Sequence, residues 1–163
     1  MPRIPCSLRA LVGERYFPFV TYFLTSPHIN KPIDSIVDTG SPFTALSTNE
    51  ILSTRMPIHT MQKGEMVSLA GFRFFRYPIN NVTLKFKTET GELFAGKLST
   101  ISALVPTKLD KKTLNDVKSI PSIVGHDFME ENKIAFYFNP SAKITYLEYD
   151  VPPVNTLNRV PTT

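Results

Sequence analysis

Asp38-Thr39-Gly40-Ser41 is the stretch of this 163-residue chain whose residue types and spacing point most directly to chemistry. Ile36 and Val37 lead into it, so a carboxylate stands at the end of an apolar run and is followed by small residues. Two carboxylates held roughly 3 Å apart cannot both ionise, and the proton they share lets one act as base while the other acts as acid. Asp-Thr-Gly-Ser occurs once, so a pair of such loops needs a second copy of the chain. Thr39 offers a short hydroxyl that suits bonding across a two-fold axis, Gly40 allows a tight turn, and Ser41 is expected to donate to the Asp38 carboxylate. The same four residues are also ordinary turn formers, and alone they fit a turn with no chemistry.

A second motif about 80 residues on bears on that choice. Ile123-Val124-Gly125-His126-Asp127 is followed by strand-like residues 134–138, an Asn139-Pro140 turn and a last strand over 143–149. The order resembles the retropepsin-like, retroviral-type (clan AA) single-domain aspartic proteases. There, an apolar-apolar-Asp-Thr/Ser-Gly loop precedes a flap hairpin, then an apolar-apolar-Gly motif opening a short helix, then a final strand. The resemblance spans residues 15–149. It implies an all-β fold, a closed β-barrel with a flap hairpin and one or two short helices, acting as a homodimer. The implied activity is aspartic endopeptidase, hydrolysing extended polypeptide between apolar residues with Asp38 of two subunits activating water. A catalytically weak or silent dimer that binds polypeptide is the alternative.

The resemblance also assigns roles. Asp38, Thr39, Gly40 and Ser41 become the catalytic loop. Ile36, Pro121 and Ile123 become pocket-lining residues, and Ala70, Gly71 and Phe72 the substrate-facing tip of a flap over 63–74. Val124, Gly125, His126 and Asp127 form the structural motif, with Asp127 capping a short helix and Glu130 reaching back to it. Many viral members pair an aspartate two places after the catalytic glycine with an arginine just after the later glycine. Pro42 and His126 stand there instead, so cellular members are the closer likeness. His126 is expected to be packed and hydrogen-bonded.

Composition bounds the rest. With 42% hydrophobic and 20% charged residues the chain has enough for one core, and a bilobal enzyme would need about twice the length and a second aspartate loop. Asp34 lies four residues before Asp38, roughly 13 Å along a strand, and reads as a surface residue. Cys6 is the one cysteine and has no internal partner, and no leader or apolar run long enough to cross a bilayer is evident. The expectation is a soluble, intracellular protein without membrane partners. The net charge is +4, but Lys108, Lys111, Lys112 and Lys118 are interspersed with Asp110 and Asp116 and lack aromatic neighbours. They read as a solvated face, with no nucleic-acid partner. His28, His59 and His126 lack metal-ligand spacing, so neither metal nor cofactor is expected.

The elements that must position the site follow from the 14 prolines and the many β-branched and aromatic residues, which favour short strands. Strands are expected at 17–24, 33–37 and 43–46. Ser47 and Glu50 form a capping-box pattern for a short helix ending near Arg55 and stopped by Pro57. A hairpin over 66–77 turns at Ala70-Gly71. A second over 81–88 and 92–101 turns at Thr90-Gly91, with Val82, Leu84 and Phe86 on one face. Residues 106–121 read as a surface insertion with a helix over 111–118. Residues 1–14 read as an extension and 150–163 as a linker-like tail.

Overall fold

The computed structural model describes residues 1–11, 13 and 15–150. The expected tail, apart from Asp150, lies outside the described residues.

The strands are β1 (Arg3–Pro5), β2 (Ser7–Ala10), β3 (Tyr16–Thr25), β4 (Asn30–Val37), β5 (Ala45–Leu46), β6 (Met66–Leu69), β7 (Phe72–Lys87), β8 (Leu93–Pro106), β9 (Ser122–Val124), β10 (Ile134–Asn139) and β11 (Ile144–Tyr149). Three short helices, α1 (Thr48–Thr54), α2 (Lys111–Val117) and α3 (His126–Glu131), and a 3-10 turn at Ile58–Thr60 complete the described elements. One sheet runs β1-β11-β10 and the other β2-β3-β4-β9-β5-β8-β7-β6, with a further β3–β7 pairing. That last pairing turns β3-β4-β9-β5-β8-β7 into a ring of contacts.

Period-two patterning sets the faces of the long strands. On β7, Val82, Leu84 and Phe86 are buried while Lys85 and Lys87 face solvent. The Phe86 ring lies 5.3 Å from both Tyr22 and Phe128, which joins β3, β7 and α3 in one core. The two expected hairpins share a strand, since β7 runs unbroken through Pro78 and Asn80-Asn81. Asn81 takes a left-handed φ of 56°, yet the β7–β8 register is the same on either side of it. The first ten residues are likewise part of the sheets and do not merely flank them. β1 pairs with β11, β2 pairs with β3, and Ile4 is 1% exposed.

Ser47 caps α1 as its pattern predicts, accepting from the Glu50 N–H. Glu50 does not reach back, because its carboxylate pairs with Lys31 of β4 at 2.5 Å. Arg55, at φ 52°, ends the helix. Asp110 caps α2, and Lys108, Lys111, Lys112 and Lys118 are all exposed.

The pairing that matters most for the site is β4 with β9. They run parallel, with Ser35, Ile36 and Val37 opposite Ser122, Ile123 and Val124. The two apolar motifs, far apart in sequence, therefore lie side by side and in register. Among the described residues no helix is long and apolar enough to cross a membrane.

Candidate active site

The parallel pairing continues one step past β4. The Asp38 N–H donates to the Val124 carbonyl at 3.0 Å, which fixes the point where the loop leaves the sheet. The chain then turns back on itself, with the Ser41 N–H donating to the Asp38 carbonyl at 3.1 Å. The Gly40 N–H donates to Asp38 Oδ1 at 3.0 Å and so orients the carboxylate. Asp38 is half-buried, whereas Thr39 and Gly40 are exposed.

The residues after the loop are braced by the second motif. The His126 N–H donates to the Ser41 carbonyl at 2.8 Å. Gly125 permits that approach, because a Cβ there would stand 2.4 Å from the Phe43 carbonyl oxygen. Thr44 donates its N–H and its hydroxyl to the two oxygens of Asp127, and its hydroxyl accepts from the Gly125 N–H at 3.0 Å.

Two cavities open beside Asp38. One, of about 420 Å³, is lined by Ile36, Asp38, Leu69, Ala70, Pro121 and Ile123 together with Leu11, Ser119 and Ile120. The other, of about 380 Å³, is lined by the 40–43 loop and Asp38 on one side and by Val67, Ser68, Leu69, Leu104 and Ile123 on the other. Asp38, Leu69 and Ile123 belong to both. The β6–β7 hairpin therefore faces the aspartate loop, and its turn is the expected Ala70-Gly71 pair, both at positive φ.

No protein-family model matches the chain, and no curated protein does. Among solved structures, a retropepsin-like aspartic protease from Rickettsia conorii matches over 90% of this chain and 89% of that one, with a TM-score of 0.53 and 17% identity. The chain has a retropepsin-like fold.

Within that fold several expected roles shift. Ser41 Oγ donates to the Phe43 carbonyl at 2.8 Å, so its single proton is engaged away from the Asp38 carboxylate. Asp127 is not the N-cap residue of α3. Gly125 occupies that position, and Asp127, inside the first turn, accepts from the Phe128 N–H at 2.7 Å while its two oxygens also accept from Thr44. Glu130 does not reach back to it and lies 3.9 Å from His126 Nε2. His126, expected to be packed, has a side chain 61% exposed, because the first position of α3 faces solvent; its backbone is what binds the loop. Gly71 and Phe72 line neither cavity beside Asp38 but a separate one with Arg73, Thr107, Lys108 and Thr113.

Leu69, Val67, Leu11 and Ile120 are cavity residues that sequence reasoning missed. For Leu69 and Val67 a signal existed: once the turn is set at Ala70-Gly71, alternation puts both on one face of β6, opposite Phe72 and Phe74.

Asp34 is at the surface as expected, bound to Arg9 at 3.0 Å and to the Thr21 hydroxyl. Burial works to raise its carboxyl, but the Arg9 and Thr21 hydrogen bonds and the Arg9 charge outweigh it and hold the carboxyl below its ordinary value. Cys6 is half-buried, and burial pushes its thiol up to about 12. Among the described residues no cluster of three or more His, Cys, Asp or Glu side chains is placed to hold a metal.

Proposed function

We propose that the chain is an aspartic endopeptidase, working as a homodimer on extended polypeptide and cutting between apolar residues. One observation carries the reading: an aspartate on an Asp-Thr-Gly turn opens onto two apolar cavities that share Leu69 of the hairpin and Ile123 of the floor. Apolar side chains on either side of a scissile bond would fill them. Among the described residues β6 is the last strand of its sheet, so its outer edge has backbone groups that can pair with an extended chain. The hairpin acts as the flap, and the ring of strand pairings supports a closed barrel.

The need for two chains follows from the single aspartate loop. Thr39 of each chain, exposed at the loop, bonds across the axis. The outer edge of β10 has no strand partner among the described residues, and the strand carries exposed Tyr137 and Phe138, which a second copy would cover.

In the dimer one Asp38 carboxylate is ionised and the other protonated. The ionised one takes a proton from water as the water oxygen attacks the scissile carbonyl carbon. The protonated one donates to the carbonyl oxygen, and a proton then passes to the amide nitrogen as the C–N bond breaks.

The test is mass-spectrometric analysis of a peptide mixture incubated with the chain and with Asp38→Asn. The expected result is cleavage between apolar residues that Asp38→Asn abolishes. Cleavage unaffected by the substitution contradicts the proposal, and binding without cleavage leaves the polypeptide-binding dimer.

A further inference from the structure

Arg76 lies outside both Asp38 cavities yet touches what builds them. It follows the last rung of the hairpin, Met66 opposite Phe75. Its backbone closes the hairpin base: the Gly64 N–H donates to the Arg76 carbonyl at 2.7 Å, and the Arg76 N–H donates to the Glu65 carbonyl at 3.0 Å. Its side chain runs the other way. The guanidinium carbon lies 3.9 Å from the centre of the Phe43 ring, and Nε donates to the Ser102 hydroxyl at 3.0 Å. Among the described residues it has no carboxylate partner within salt-bridge distance.

Both contacts lead into the aspartate loop. Phe43 lines the smaller cavity beside Asp38, and its carbonyl accepts from Ser41. Ser102 is buried, and its N–H donates to the carbonyl of Thr44, the residue tied to Asp127 and Gly125. One half-buried side chain therefore joins the base of the hairpin to the residues that brace the loop. Arginine is suited to this because one face of its planar group stacks on an aromatic ring while an edge N–H reaches a hydroxyl. Lysine keeps the charge but cannot make both contacts at once.

We infer that Arg76 is a positioning residue that couples the β6–β7 hairpin to the Asp38 loop through Phe43 and Ser102. Its effect on turnover rests on the peptidase reading, whereas the coupling itself rests on the contacts. When the hairpin moves to admit polypeptide, the Arg76 stack carries the displacement to Phe43, and Phe43 carries it to Ser41. Removing the guanidinium frees each part to move without the other.

The test is hydrogen exchange on the full chain, read at the hairpin amides of residues 66–72 and at the loop amides of Gly40, Ser41 and Thr44. The variants are Arg76→Met, Phe43→Leu and the double substitution. Each single variant is expected to speed exchange in both segments, on the order of tenfold, and the double to be no faster than either single, as for two residues acting as a unit. Faster exchange in the hairpin alone, or additive effects in the double, overturns the inference. If Arg76→Met does not fold, Ser102→Ala removes only the Nε contact and is expected to give the same two-segment pattern at smaller amplitude; an effect confined to one segment overturns the inference equally. Where turnover is measurable, Arg76→Met is expected to lower kcat about tenfold with KM little changed, because misplacement acts on the reacting geometry. Arg76→Lys is expected to fall between. Because the exchange readout needs no substrate, a chain that cleaves nothing but exchanges as expected contradicts the peptidase reading and leaves the coupling standing.

Discussion

Thr44 gives Asp127 two hydrogen bonds, one from its backbone N–H at 2.9 Å and one from its hydroxyl at 2.7 Å, across 83 residues of chain. This pair fastens the start of α3 to the strand that leaves the aspartate loop. Asp127→Ala leaves both donors without a charged acceptor and is expected to destabilise the fold by about 2 kcal/mol, read from the urea midpoint. Asp127→Asn keeps one acceptor and should cost less. A midpoint unchanged in Asp127→Ala would remove the tie from the account.

Ser41 is expected to act on the loop's stability, because its hydroxyl is engaged with the Phe43 carbonyl. Ser41→Ala should lower stability by about 1 kcal/mol. A urea midpoint unchanged in Ser41→Ala would remove this contact from the loop's support.

How much of this was legible in the sequence depended on the range of each interaction. The Asp38 and Val124-Gly125 motifs, the Ala70-Gly71 turn and the Ser47 cap are local patterns, and the structure places each where the pattern puts it. Asp127 and Glu130 carry the same local cap pattern, but Thr44 offers the carboxylate a better pair of donors from far along the chain. Glu50 is diverted in the same way by Lys31. Pro78 and Asn80-Asn81 look like a break in β7, yet Asn81 absorbs the local distortion in one left-handed residue while the β8 partners hold the register. β1 and β2 are too short to be read from alternation, and their pairing with β11 and β3 decides them.

Ala70 takes φ 50° in the hairpin turn, a conformation that costs a residue with a Cβ about 1 kcal/mol or more and that asparagine tolerates better. Ala70→Asn is expected to raise stability by about 0.5–1 kcal/mol and to slow amide exchange along β6. Faster exchange or lower stability would show that the turn relaxes out of this geometry in solution.

Cys6 gives a pH dependence of definite sign. Its thiol is ordinarily near 9.0, and burial holds it up at about 12 in the fold. Between those values the folded chain keeps a proton that the unfolded chain has lost. The stabilisation is thus fully present below the unfolded value and is lost as pH rises toward the folded one. Stability of the parent should fall more steeply above about pH 9 than that of Cys6→Ala, and alkylation near neutral pH should be slow until the chain unfolds. Rapid alkylation of the folded protein would contradict the burial argument.

The central claim is that one working site is made from two chains, each contributing its Asp38. The most direct measurement is sedimentation of the protein titrated with a statine-type ligand, whose tetrahedral centre matches a carboxylate pair sharing one proton. The expected result is one ligand bound per two chains, on a species of twice the chain mass, with binding lost in Asp38→Asn. One ligand per chain on a monomer, or binding that survives Asp38→Asn, would contradict the account.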